Sequence, residues 1–180
     1  TSEIICQTFK NNKWSKKVFA KYYKIDQDKK IVINSQYANQ YAAAGENTLI
    51  DCLRGGDNYR TGNWQGYRED LDVIVDLGKV KTINSISLGC LQDIRSWIFY
   101  PKEVKYYVSI DKNNFNCIGT VKTIFSDSIE GSFTNDYTLK KEGLKARYIQ
   151  IKAENYGKCP HWHLGAGGRT WVFVDEITIE

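Results

Sequence analysis

Both histidines of the chain, His161 and His163, stand two residues apart in KCPHWHLGAGGRTWVF, residues 158–173. The same stretch holds two of the five tryptophans, one of the two prolines and Gly165, Gly167 and Gly168. Three chemistries suit such a cluster: a metal site, a catalytic site, or an aromatic surface for a ligand. In an extended segment His161 and His163 share a face, as zinc ligands do. Zinc needs a third protein ligand, and only Cys159 is a soft candidate nearby, at a spacing that matches no familiar zinc motif. Glycoside hydrolysis needs two carboxylates about 5–9 Å apart across one sugar. Asp57, Asp70, Asp93, Asp175 and Glu176 are available. Asp175 and Glu176, however, are neighbours in a strand-like run, where adjacent side chains face opposite ways. There is no G-x-S-x-G and no recognisable Cys nucleophile motif. The pattern points to binding rather than catalysis.

Sugars are held by stacking C–H bonds on an aromatic face while polar groups bond the hydroxyls, and pockets in general combine apolar lining with a few aimed polar groups. Trp162 is the expected platform, with His161 or His163 as hydrogen-bonding groups and the glycines allowing close backbone approach. Two further loops supply matching residues. LIDCLRGGDNYRTGNWQGY (residues 49–67) offers Arg60 and Trp64, and LQDIRSWIFYP (residues 91–101) offers Asp93 and Trp97. Trp64, Trp97 and Trp162 lie in polar, Gly- or Pro-marked loops, which points to exposure. Trp171 has apolar strand neighbours, which points to the core.

The elements that must position these loops read as β-strands. In DLDVIVDLG, Leu71, Val73, Val75 and Leu77 share one face, while Asp70, Asp72 and Asp76 take the other. VKYYVSI predicts Val104, Tyr106, Val108 and Ile110 inward and leads into the turn-rich DKNNF. ARYIQIKA alternates likewise, and WVFVDEITI closes the chain with β-branched residues. No long helix is convincing, and only residues 46–53 suggest a helical turn. Short strands separated by Gly, Asn and Asp favour an all-β, antiparallel sandwich.

Composition sets the limits. At 180 residues the chain suits one domain with a real core, and 42% hydrophobic with 26% charged residues is ordinary for a globular protein. A net charge of +4 permits an acidic partner but does not argue for nucleic acid. No apolar run approaches the roughly 20 residues of a membrane span. The chain has no Met at all, so it reads as a piece of a longer or processed protein. The five cysteines are an odd number without close pairs, and they read as structural thiols, with Cys90 and Cys117 as small apolar fillers in strands. Residues 1–30 are lysine-heavy and form an N-terminal extension or the end of a preceding domain, whereas residues 31–180 read as one unit. The longest non-strand stretches, 42–70 and 155–169, have lengths usually associated with function or ion stabilisation.

The order NTLIDCLRGG, DLDVIVDLG, YYVSID, ARYIQIKA and DEI resembles the coagulation-factor type C, or discoidin, domain and its bacterial branch, the family 32 carbohydrate-binding modules. RTGNWQGY, LQD with SWIF, and PHWHLGAGGRTWVFVDEI are similar to the accessory domain at the C-terminus of some bacterial family 20 β-N-acetylhexosaminidases. The resemblance implies a jelly-roll β-sandwich, galactose-binding-domain-like, that binds carbohydrate and does not catalyse. It further implies a glycan with N-acetylhexosamine or galactose as partner, a covalently linked glycosidase domain, and an extracellular, periplasmic or cell-surface location, with no nucleic acid and no membrane insertion. It also implies a structural calcium ion held by the backbone carbonyls of Thr48 and Leu53, the Asp51 carboxylate, Thr61 and either Asp175 or Glu176. One departure is visible: Cys52 replaces the glycine usual after the aspartate. Two other classes stay in view, an adhesion domain for protein or membrane lipid and a catalytic glycosidase domain.

Overall fold

In the computed structural model, which describes residues 2–22 and 25–180, the chain forms eleven strands in two unequal parts. The smaller part is a ribbon. Strand β1 (Ser2–Cys6) pairs with β4 (Val18–Tyr22), and β2 (Phe9–Lys10) with β3 (Lys13–Trp14) at its tip. The larger part contains β5 (Lys30–Ile33), β6 (Gln65–Tyr67), β7 (Leu71–Asp93), β8 (Glu103–Ser109), β9 (Asn116–Lys122), β10 (Ser132–Ala153) and β11 (Val172–Ile179). These seven form one hydrogen-bonded system in the order β6-β11-β7-β10-β8-β9, with β5 also on β7.

The long strands β7 and β10 explain how one sheet becomes two layers. The first part of β7 pairs with β5 and with the end of β10, and β10 there also pairs with β8. The last part of β7 pairs with β11 and with the start of β10. The register of β7 with β10 shifts after Lys140 and after Ala146, where the pair turns from one layer into the other. Val73, Tyr106 and Ile151 of the first layer and Leu88, Tyr137 and Val174 of the second share one buried core. The fold is an antiparallel jelly-roll β-sandwich, as expected.

The predicted alternation holds along β7, where Leu71, Val73, Val75 and Leu77 are all buried. It holds along β8 for Val104, Tyr106 and Val108. Ile110 is a correction: β8 ends at Ser109, and Ile110 is 61% exposed. The cause is the following turn, where Asp111 accepts the amides of Asn113 and Asn114 and Lys112 takes a positive φ of 70°. Cys117 is a second correction, since it is an exposed thiol on β9 rather than a filler, whereas Cys90 is fully buried. The helical turn expected near residue 46 is a 3₁₀ turn over Gly45–Ile50.

Residues 2–19 have no buried side chain, although Ile4, Ile5, Phe9, Trp14 and Phe19 lie among them. A ribbon whose described side chains bury nothing adds little to the stability of the sandwich. From Ile25 onward the chain does engage it, through the Asp26–Lys81 ion pair. Removing residues 1–24 is therefore expected to shift the thermal midpoint by less than about 2 °C, because ΔΔG stays near zero. A substantially larger drop in a melting curve would mean that the ribbon packs on the body.

Candidate functional site

The loop end of the sandwich is organised around β11. Its register with β7 shifts between Val174, opposite Cys90, and Ile177, opposite Leu88, so Asp175 and Glu176 together face Gly89 in a bulge. Both acids are buried. The Oδ2 of Asp175 accepts the Arg54 Nε–H and the Gly55 amide, each at 2.8 Å, and Arg54 also pairs with Asp136. The other oxygen, Oδ1, is buried without a hydrogen-bond partner. Burial raises the Asp175 carboxyl and the Arg54 charge opposes it. The Oε2 of Glu176 accepts the Cys52 amide at 2.8 Å. Burial, with a smaller contribution from the Asp51 charge, pushes Glu176 up to about 8.

These contacts bear directly on the implied calcium ligands. Asp51, Cys52 and Glu176 come together, and Asp51 accepts the Leu53 amide at 2.8 Å. Thr48 is buried and donates its hydroxyl to the Ala42 carbonyl. Cys52 adopts φ 65°, the left-handed conformation for which glycine is favoured, so the backbone of the loop keeps its turn despite the substitution. Two of the implied ligands make their contacts elsewhere. Asp175 belongs to the Arg54 pair rather than to the Asp51–Glu176 group. Thr61 lies in a separate 3₁₀ turn, Tyr59–Thr61, with its hydroxyl on the Asn58 carbonyl. Leu53 is largely exposed. Among the described residues no Lys or Arg lies within ion-pair distance of Asp51 or Glu176, and no three His, Cys, Asp or Glu side chains gather as a metal cage. A hard cation here would depend on carbonyl and hydroxyl oxygens beside the two carboxylates, which is the donor chemistry calcium takes.

The aromatic residues divide differently from expectation. Trp64 is only 1% exposed and packs with Leu91, Ile98, Trp171 and Phe173, while its Nε1–H donates to the Gly56 carbonyl. It is therefore a core residue and offers no face to a ligand. Its position in a glycine-rich loop misled because those glycines receive the indole: a Cβ on Gly55 would fall 2.1 Å from its ring. Trp171 is buried in the same cluster, as expected.

Trp97 is half-buried at φ 64°, just after the 3₁₀ turn Ile94–Ser96. Asp93 caps that turn, accepting the Ser96 amide and hydroxyl. The Trp97 indole lies against two glycines of the 158–173 loop. A Cβ on Gly165 would stand 2.4 Å from it, and one on Gly168 2.6 Å. These glycines thus admit an indole of the chain itself, not an external ligand. His163 fixes the same junction. Its Nδ1 accepts the Gly165 amide at 2.9 Å, so Nε2 carries the proton and donates to the Ile94 carbonyl at 2.6 Å. With both nitrogens engaged, His163 ties the two loops together and keeps no free ring nitrogen. Of the sequence-expected contacts, His161, Trp162 and Arg60 remain exposed, with the Arg60 guanidinium 4.6 Å from the Tyr59 ring centroid.

The structure adds residues the sequence did not single out. A hollow of about 320 Å³ lies between the 36–39 loop, the residues after β6 and the end of the 158–171 loop, lined by Gln36, Tyr37, Asn39, Arg68, Glu69, Arg169 and Trp171. The Arg68 guanidinium sits 4.3 Å from the Trp171 ring centroid. Glu69 accepts the Gln36 amide at 2.7 Å and ties two walls together. A second hollow, about 520 Å³, runs along the β5 edge and has Glu46 as the one charged residue in its lining. The smaller hollow combines aromatic lining with convergent polar groups, the chemistry expected of a ligand pocket. Arg169 lies within the quoted motif and Arg68 follows WQGY, but only the fold sets them around one space.

Against known proteins, the F5/8 type C domain family matches residues 30–171. A search of curated proteins finds no match. Among solved structures, the chain is similar to CpGH89CBM32-5 from Clostridium perfringens, in complex with GalNAc-β-1,3-galactose, at 18% identity and TM-score 0.56, covering 86% of this chain and 96% of that one. It is similar to the family 32 module of Clostridium perfringens NanJ, in complex with galactose, at 13% identity and TM-score 0.52, covering 86% and 95%. It is also similar to chitosan-binding module 1 of a chitosanase/glucanase from Paenibacillus sp. IK-5, at 16% identity and TM-score 0.53, covering 88% and 99%.

Two outcomes follow from this geometry. Gly165→Ala should destabilise the chain by about 1–3 kcal/mol, as overpacking does, and should alter Trp97 fluorescence; an unchanged melting curve would remove the Trp97 seat. The second concerns pH. With divalent cations chelated, Glu176 ionises near 8 folded against 4.5 unfolded. The stability its neutral form contributes is complete below about 4.5 and is lost as pH rises to about 8. The melting temperature should fall across that window more steeply in the wild type than in Glu176→Gln, and superimposable curves would refute the burial argument.

Proposed function

This chain belongs to the F5/8 type C domain family, and from that premise we propose that it is a non-catalytic carbohydrate-binding module. The observation that carries the reading is the hollow at the loop end, where Tyr37 and Trp171 form aromatic walls among Gln36, Asn39, Arg68 and Arg169. The solved neighbours add support, since two are complexes with galactose or a galactose-containing disaccharide and a third is a chitosan-binding module. A glycan with N-acetylhexosamine or galactose is the ligand class, and Trp162 and His161 lie exposed on the loop that also supplies Arg169. The motif resemblance further supports a role as the accessory module of a larger glycoside hydrolase of the β-N-acetylhexosaminidase kind, acting outside the cell.

A structural calcium ion belongs to the same proposal. Asp51 and Glu176 would hold it beside oxygens of the 48–53 loop, and its charge would stabilise the half-buried Asp51 and buried Glu176 carboxylates, which have no cationic side chain within ion-pair distance among the described residues. Its role would be to hold the loop on β11, away from the sugar itself.

A second reading is an adhesion domain for protein or lipid. Leu164 is fully exposed and Trp162 is 43% exposed two residues before it, an apolar tip of the kind that enters interfaces. Liposome flotation separates the two readings: association with anionic vesicles, together with silence on a glycan array, would favour adhesion.

On a glycan array of amino sugars and galactosides, the chain is expected to bind, and Asn39→Ala should weaken binding about tenfold, as loss of one aimed hydrogen bond does. Calcium titrated into chelator-stripped protein should release heat and raise the melting temperature, and Glu176→Gln should abolish both effects. Binding unaffected by Asn39→Ala would move the site out of the hollow.

A further inference from the structure

The six arginines of the chain divide into two groups. Arg54 pairs with Asp136 and Asp175, Arg95 with Glu130, and Arg147 with Asp76. Among the described residues, Arg60, Arg68 and Arg169 have no carboxylate within ion-pair distance. All three lie at the loop end. Arg60 stands over Tyr59 and Arg68 over Trp171, and Arg169 lines the same hollow as Arg68. Tyr59 and Trp171 are joined through Tyr41, which makes edge contacts with both rings. Lys158 pairs with Arg169 through an isolated antiparallel β-bridge.

This concentration does not come from the overall charge. Residues 1–24 carry six lysines against one glutamate, which leaves −1 of the chain's +4 for the rest. Within a slightly acidic body, two uncompensated guanidiniums thus stand on one aromatic cluster, and a third, Arg169, lines the hollow beside it. The one carboxylate in the hollow, Glu69, accepts the Gln36 amide and makes no ion pair with either arginine. A guanidinium stacked on a ring keeps its planar N–H fork free at the edge, and that fork matches the two oxygens of a carboxylate or sulfate.

We propose that the hollow between Arg68 and Arg169 takes an anionic saccharide, one bearing a carboxylate or sulfate, with the guanidiniums on the acidic group and Tyr37 beside the sugar ring. The proposal rests on the carbohydrate-binding reading above and narrows its ligand class.

The test is calorimetric titration of the whole chain with sialylated lactose, a 6-sulfated galactoside, neutral lactose and a short single-stranded DNA of similar charge. At least one acidic sugar is expected to bind about tenfold or more tightly than lactose, as a charge-assisted pair gives. The preference should shrink with added salt and vanish in Arg169→Ala. Arg68→Lys, which keeps charge but loses the fork, should reduce it partly, and it serves if Arg68→Ala does not fold. Which acidic sugar wins distinguishes carboxylate from sulfate. If lactose binds as tightly and the arginine variants change nothing, the proposal falls while the carbohydrate reading stands. If no sugar binds at all, both fall. DNA binding as tight as that of the acidic sugar would reduce the site to a general polyanion patch and overturn the proposal.

Discussion

The loop end of this protein depends on two adjacent buried acids. Asp175 and Glu176 occupy the β11 bulge, and each holds a different part of the 51–56 loop: Glu176 the Cys52 amide, Asp175 the Gly55 amide and the Arg54 side chain. That loop must lie in one place because Trp64 lies on Gly55. Trp64 in turn is part of the cluster containing Trp171 and Phe173. An electrostatic constraint on one strand therefore fixes an aromatic core, and the aromatic core fixes the walls of the hollow. An ordinary strand register would separate the acids to opposite faces and leave the loop without its anchor.

The two acids meet the cost of burial in different ways. Asp175 has a guanidinium and an amide, though one of its oxygens is left bare. Glu176 has an amide and no cationic partner within reach among the described residues. Unpaired buried carboxylates either hold a proton or face a cation, because burial disfavours the charged form. The nearby Asp51, also raised by burial, makes the second solution more effective for both. The calcium proposed here would therefore act on the same fold constraint from which the proposed sugar site is built, at a distance from the sugar.

Strand faces were legible in the sequence because period-two alternation is a local property: Leu71, Val73, Val75 and Leu77 needed no tertiary knowledge. Ile110 broke the pattern because the Asp111 turn began one residue sooner than alternation suggested. Loop residues were less legible. Glycine beside tryptophan reads equally as an open loop and as a seat for an indole, and only the fold shows that Gly55 and Gly165 are seats. The two histidines look equivalent in sequence, yet His163 is locked by Gly165 and Ile94 while His161 stays in solvent. The arginines could not be sorted from sequence at all. Arg95 and Arg169 each lie in a quoted motif, and what separates them is a glutamate at position 130, distant in the chain.

That sorting bears on how such a scaffold acquires specificity. The aromatic cluster is needed for stability whatever the ligand, since the loops it binds together carry no regular strand of their own. Once rings such as Tyr59 and Trp171 are fixed near the surface, an arginine placed over them is held by its ring contact and not by a carboxylate. A salt-bridged arginine would be equally ordered but electrically neutralised, with its fork already occupied. Stacking orders the side chain while leaving the charge and the N–H groups available, so the cluster that stabilises the loops also presents cations in defined positions. Selectivity could then shift by exchanging one exposed arginine, with the buried acids and indoles beneath it left untouched.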